Sequence, residues 1–182
     1  MKIQLTMIVL LTTLTLTSCG QDNDNKSVHS SADSTFIKSL EERQLGESKY
    51  SISLPTDYAI GETNGEDFSV YYFNPADTTN HTGFSGGLYF GNHPSQFPAK
   101  SKSCKTEHLK NEIFDQDVSW TIYNCNGDYS IQSIIYSKSG EGWNEMIHMF
   151  GNAKSTKDLD KLLFIFKTMK KRNNIYKELS QF

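Results

Sequence analysis

The side chains with the most chemistry available to them in this 182-residue chain are its three cysteines. Cys19 stands directly after an apolar run that begins at Ile3, and Leu16-Thr17-Ser18 precedes it. A thiol there is a nucleophilic sulfur that can accept a lipid chain, and Ser18 is small enough for a peptidase to fit the bond beside it. Cys104 and Cys125 then remain as an even pair, the arithmetic of a disulfide in an oxidising compartment. Residues 102–109 and 118–125 read as strands joined by polar residues around Asp115. A hairpin centred between Phe114 and Asp115 sets Cys104 opposite Cys125 at bonding distance. A zinc reading would add His108 to the two thiols, but a fourth ligand is missing, so the expectation is a disulfide and no metal.

Ser85 invites an enzymatic reading. Gly83-Phe84-Ser85-Gly86-Gly87 fits the G-x-S-x-G pattern of a nucleophile elbow, which needs a strand before the serine and a helix after it. Here a polar loop over 74–82 precedes Ser85 and residues 86–90 read as strand. A serine hydrolase, with His148 among the candidates for its base, therefore stands as a remote alternative. The five histidines show neither H-x-H nor H-E-x-x-H spacing. His29 lies in a polar N-terminal segment, His81 and His93 in loops, His108 and His148 on expected strands. No phosphate loop, dinucleotide fingerprint or paired-carboxylate arrangement is visible. The expectation is a protein without a cofactor and without catalytic activity.

The elements that must position these residues follow from periodicity. Alternating aromatic and β-branched residues mark strands over 49–54, 67–73 and 86–90, and Asn126-Gly127 marks a tight turn between the strand ending at Cys125 and the next one. Across that turn Ile122 is expected opposite Ile131 and Val118 opposite Ile135, with Trp120 on the same face. A further turn over 139–142 leads to a strand over 143–150. Asp33 or Ser34 is expected to cap a helix reaching about Gln44. Ser155-Thr156-Lys157-Asp158 resembles a capping box for a helix to about Lys171, with Leu159, Leu162, Leu163, Phe166 and Met169 as its buried stripe. Lys167, Lys170, Lys171 and Arg172 would then gather at its C-terminal end. The fold class is α+β: an antiparallel sheet of about six to seven strands flanked by an N-terminal and a C-terminal helix.

Two resemblances extend this reading. Leu16-Thr17-Ser18-Cys19, with Met1-Lys2 and the short apolar run before it, resembles the lipobox of bacterial lipoproteins. The run is too short to span a bilayer as a helix but suits a signal peptide. The resemblance implies thioether lipidation of Cys19, cleavage before it, and a further acyl chain (palmitate is typical) on the new amine. The chain then divides into a signal peptide over 1–18, a tether over 19–34 and one α+β domain over 35–182. The tether is polar and poor in apolar residues, with a reach of roughly 20 Å as a flexible coil. Gly20 follows the lipid site where an aspartate would signal inner-membrane retention. Gln21-Asp22-Asn23-Asp24 resembles surface-export signals, so the expected place is the bacterial cell envelope, on the outer rather than the inner membrane.

The second resemblance rests on element order. A helix, then Tyr50-Ser51-Ile52-Ser53-Leu54-Pro55, an antiparallel meander, and a final helix after Met149-Phe150-Gly151 is similar to the PsbP/Mog-type α/β/α sandwich. Members of that fold are mostly binding and accessory proteins, which implies a non-enzymatic protein-binding role here. The alternative is an immunity or adaptor protein for a secreted toxin. Formal net charge is −3, and removal of residues 1–18 with Lys2 takes it to −4, which argues against a nucleic-acid partner. The expected partners are the membrane, through the lipid, and another envelope or secreted protein. The expected binding surface is the long loops over 74–85 and 91–100 with their flanking aromatic strands, carried by Tyr72, His81, Tyr89 and His93.

Overall fold

The structure is a computed structural model that describes residues 33–77, 79, 83–136 and 146–172. Cys19, the tether up to residue 32, His29, His81 and the expected turn over 139–142 lie outside the described residues. In chain order the elements are α1 (Ser34–Lys38), β1 (Leu40–Gln44), β2 (Tyr50–Pro55), β3 (Tyr58–Asn64), β4 (Phe68–Pro75), β5 (Phe84–Gly91), β6 (Lys105–Ile113), β7 (Gln116–Cys125), β8 (Asp128–Tyr136), β9 (Met146–Ala153), α2 (Thr156–Lys167) and β10 (Lys170–Lys171). The protein is α+β, with every strand pair antiparallel. Seven strands form one sheet in the order β3-β4-β5-β9-β8-β7-β6, and β1-β2-β10 form a second.

The hairpins carry their register in their turns. Phe114 and Asp115 both adopt left-handed backbone, at φ 56° and 53°, which closes β6 and β7 with two residues. That conformation costs a non-glycine residue about 1 kcal/mol, and packing of the Phe114 ring 5.6 Å from that of Tyr50 offsets it. Pairing then runs from Ile113↔Gln116 to Lys105↔Asn124. One step further, Cys104 and Cys125 are bonded, their Cα atoms 4.4 Å apart, the spacing of a non-hydrogen-bonded cross-strand pair. Asn126 at φ 59° and Gly127 at 94° close β7 onto β8, with Ile122 opposite Ile131 as the sequence predicts. The β7–β8 pairing ends at Thr121↔Gln132, so Val118 and Ile135 lie beyond it, although both are buried. There the Ser133 hydroxyl donates to the Ser119 carbonyl at 2.9 Å in place of the backbone ladder.

The inner face of the large sheet packs against a layer made of α2 and β2. Phe73 and Trp120 meet Phe166 of α2 at 5.7 and 5.1 Å between ring centroids, and Tyr50 of β2 stacks on Phe90 at 5.1 Å. Leu159, Leu162, Leu163, Phe166 and Met169 are all buried, and so is Ile165, outside the expected stripe. The helix contacts β2 as well as β5, β9 and β6, and a helix held between two sheets needs the wider apolar arc. Its start is capped by Ser155, whose hydroxyl oxygen accepts from the Asp158 backbone N–H at 3.1 Å and whose hydroxyl donates to the Asp158 carboxylate at 2.6 Å.

Two helix boundaries differ from the expectation. α1 covers only Ser34–Lys38 and does not reach Gln44: the Ser39 hydroxyl donates to the Phe36 carbonyl, and Leu40–Gln44 pairs with β2 instead. Glu41, Glu42 and Arg43 favour a helix locally, but β2 offers a row of backbone donors and acceptors, and filling it overrides propensity. Likewise α2 stops at Lys167, because the Thr168 hydroxyl donates to the Ile165 carbonyl and Lys170–Lys171 cross to the other edge of β2. The basic residues at 170–172 therefore do not gather on a helix end. Glu42 spans this small sheet: its carboxylate accepts from Lys170 Nζ and from Ser51 Oγ, both at 2.8 Å, and the lysine first and then the hydroxyl hold it below the ordinary carboxylate range. Strand β3 was not expected. Its only buried residue is Tyr58, so it lacks the alternation of a half-buried strand.

Candidate functional site

The outer face of the large sheet, opposite α2, is built by four neighbouring strands. Their register sets Tyr72, Gly87, Phe150 and Gln132 in one row across β4, β5, β9 and β8. Val70, Tyr89, His148 and Ile134 form the next. Gly87 decides the first row. A Cβ there would stand 2.6 Å from the Phe150 ring, so only glycine lets Tyr72 and Phe150 meet across it, with ring centroids 6.0 Å apart.

The segment between β5 and β6 crosses this face as a strap. Gln132 holds it as a strand would: its Oε1 accepts from the Phe97 N–H at 2.8 Å and its Nε2 donates to the Phe97 carbonyl at 2.6 Å. A buried primary amide so reproduces the two-point pairing of a peptide group. The Phe97 ring lies 5.0 Å from His148 and 5.3 Å from Phe150, yet stays 48 % exposed, and Tyr72 is 40 % exposed. Between strap and sheet lies a hollow of about 270 Å³ walled by Phe97, Phe150 and Tyr123, with Gln132 and Asn152 as polar groups. Asn152 Oδ1 accepts from Lys100 Nζ at 3.1 Å and from Ser130 Oγ at 2.9 Å.

His148 is 2 % exposed beneath the strap, and burial pulls its pKa from 6.5 down to about 4. Gln132 Oε1, an acceptor only, lies 3.2 Å from His148 Nε2, so the hydrogen-bond network assigns the proton of the neutral ring to Nε2. The unfolded chain takes a proton on this histidine below about pH 6.5, and the fold resists until about 4. Stability that is full above pH 6.5 is therefore lost as pH falls through that window, by up to about 3 kcal/mol at about 1.4 kcal/mol per pH unit. Denaturant unfolding at pH 7 and pH 4.5 should show this loss in the wild type and a smaller one in His148→Phe. Equal losses in the two would show that His148 takes up its proton at the same pH in the folded and the unfolded chain.

Of the four residues expected on a binding surface, Tyr72 and Tyr89 lie on this face, and His93 follows β5 into the strap, its N–H donating to Tyr89 Oη at 3.2 Å. His81 is outside the described residues. Sequence reasoning missed Phe97, Phe150 and Gln132. A signal was present in residues 146–150, apolar or aromatic on both alternations, the mark of a strand covered on both faces. Ser85 sits within β5, opposite Asn152, while His148 pairs with Tyr89 four residues along, so no strand-to-helix elbow forms at the serine. Among the described residues no three His, Cys, Asp or Glu side chains gather as a metal site. No helix among them is long and apolar enough to cross a membrane. No family model, curated protein or solved structure matches the chain.

Proposed function

We propose that this chain is a lipid-anchored protein of the bacterial cell envelope whose outer sheet face binds another protein without catalysis. The observation that carries the binding half is the half-exposed aromatic patch Tyr72–Phe150–Phe97. Rigid aromatic rings around a few fixed polar groups offer large contact area at low entropic cost, the composition favoured in protein interfaces. The anchor half rests on Leu16-Thr17-Ser18-Cys19 and the polar tether after it. The antiparallel meander followed by a C-terminal helix supports the resemblance to the PsbP/Mog-type sandwich, whose members are mostly accessory proteins, and we keep that family as part of this proposal.

A photo-crosslinking residue placed at Tyr72, at Phe97 and, on α2, at Lys157 tests the surface in intact cells. The first two positions should trap one and the same partner and the third should not. Phe97→Asp should suppress the adduct formed from position 72. Equal trapping from all three positions, or none from the sheet face, would overturn the reading.

A further inference from the structure

A second hollow, of about 680 Å³, opens where the β1–β2 turn meets the β3–β4 hairpin, away from the strap. Its floor is aromatic: Tyr71 and Phe90, 3 % and 1 % exposed, with Phe68 at the side. Its rim carries two carboxylates, Glu47 and Glu62, and among the described residues no lysine or arginine lines it. Glu62 is held in place by a relay. Ser69 Oγ donates to Asn64 Oδ1 at 2.6 Å, and Asn64 Nδ2 donates to Glu62 Oε1 at 2.9 Å.

Glu62 Oε2 is turned the other way, toward Gly46. That glycine has φ +50°, and a Cβ on it would lie 2.6 Å from Glu62 Oε2 and 2.8 Å from Tyr71 Oη. The turn thus leaves room for the carboxylate and the phenol to converge. Burial first, and then the neighbouring Glu62 and Glu47, raise the Tyr71 pKa, so the phenol stays neutral. The nearby Lys49 lies over the Tyr50 ring, 5.8 Å from its centroid.

We propose that this hollow binds the ammonium group of an organic cation, with Glu62 as the charged acceptor, Glu47 adding field, and the apolar part of the ligand against Phe68, the aromatic residue of the lining that keeps free surface. A carboxylate forms charge-assisted hydrogen bonds with N–H donors, aromatic faces attract cations, and the volume lies in the range of small-molecule sites. A bare metal ion would need more ligands than two carboxylates supply. The ammonium can belong to a free amine or to a lysine side chain of a peptide.

The test is an NMR titration of the full chain in detergent micelles, following the backbone amides of Glu62, Asn64 and Ser69. 2-Phenylethylammonium or an acetylated, amidated Gly-Lys-Gly peptide should shift these signals saturably, and the tighter of the two names the source. Neutral 2-phenylethanol should not. Glu62→Gln should weaken binding about tenfold or more, the value of a hydrogen bond to a charged group, and Glu47→Gln should weaken it less. Glu47→Gln also keeps the test open should the other variant not fold. Failure of both cations to bind, binding undiminished in either variant, or equal binding of 2-phenylethanol would overturn the proposal. The crosslinks from Tyr72 and Phe97 report on a different face, so either proposal can fail without the other.

Discussion

Cys19→Ala is expected, on the proposed lipid anchor, to remove acyl label from this protein completely and leave residues 1–18 attached. Lipidation needs the sulfur, and cleavage before residue 19 follows lipidation in lipobox proteins, so one atom governs both events. The energetic consequence is large. Each buried methylene of an acyl chain contributes about 0.8 kcal/mol, and two or more chains anchor stably where one binds marginally. Intact mass and metabolic palmitate labelling of the two proteins give the answer directly. A Cys19→Ala chain that is still labelled and still shortened would place the lipid elsewhere and remove the anchor from the proposed function.

The paired substitution Cys104→Ala with Cys125→Ala will lower the unfolding free energy by about 3 kcal/mol. The two cysteines are 21 residues apart in sequence, and closing a loop of that size restricts the unfolded chain by about this amount in the chain-entropy model. The bond also sits where it matters for the outer face. Cys104 ends the strap that carries Phe97, one residue before β6, so the disulfide ties the far end of the strap to β7. Urea unfolding of wild type, reduced wild type and the double variant should give two equal low stabilities and one high. A change below about 1 kcal/mol would mean that the hairpin closes as firmly without the bond, its two-residue turn and nine paired positions sufficing.

The contrast between this hairpin and the N-terminal segment shows what was legible in the chain. The β6–β7 register, the disulfide, the Asn126-Gly127 turn and the Ser155 cap all depend on residues a few positions apart or across a single tight turn. Local chemistry decides them, and sequence reasoning placed each one. Residues 40–44 were misplaced because their local preference is helical while their partner, β2, is supplied by another part of the chain. The same holds at 170–171, which continue a helix on paper and complete a sheet in space.

The candidate sites divide in the same way. Tyr72 and Tyr89 could be named from the sequence as aromatic strand residues beside long loops. That Phe150 joins Tyr72 follows from Gly87 standing between them, and that Phe97 joins both follows from one buried amide, Gln132, on a strand 35 residues further along. The hollow beside Glu62 needs the β1–β2 turn to meet the β3–β4 hairpin, a contact with no signature in either segment alone. By itself the sequence determined the Cys104–Cys125 pairing, the turns at 114–115 and 126–127, the helix stripe and the α+β class, because short-range sterics and periodicity settle those. Only the tertiary structure decided which side chains share a face. That depends on register between distant strands, where a shift of one residue turns every side chain to the other side.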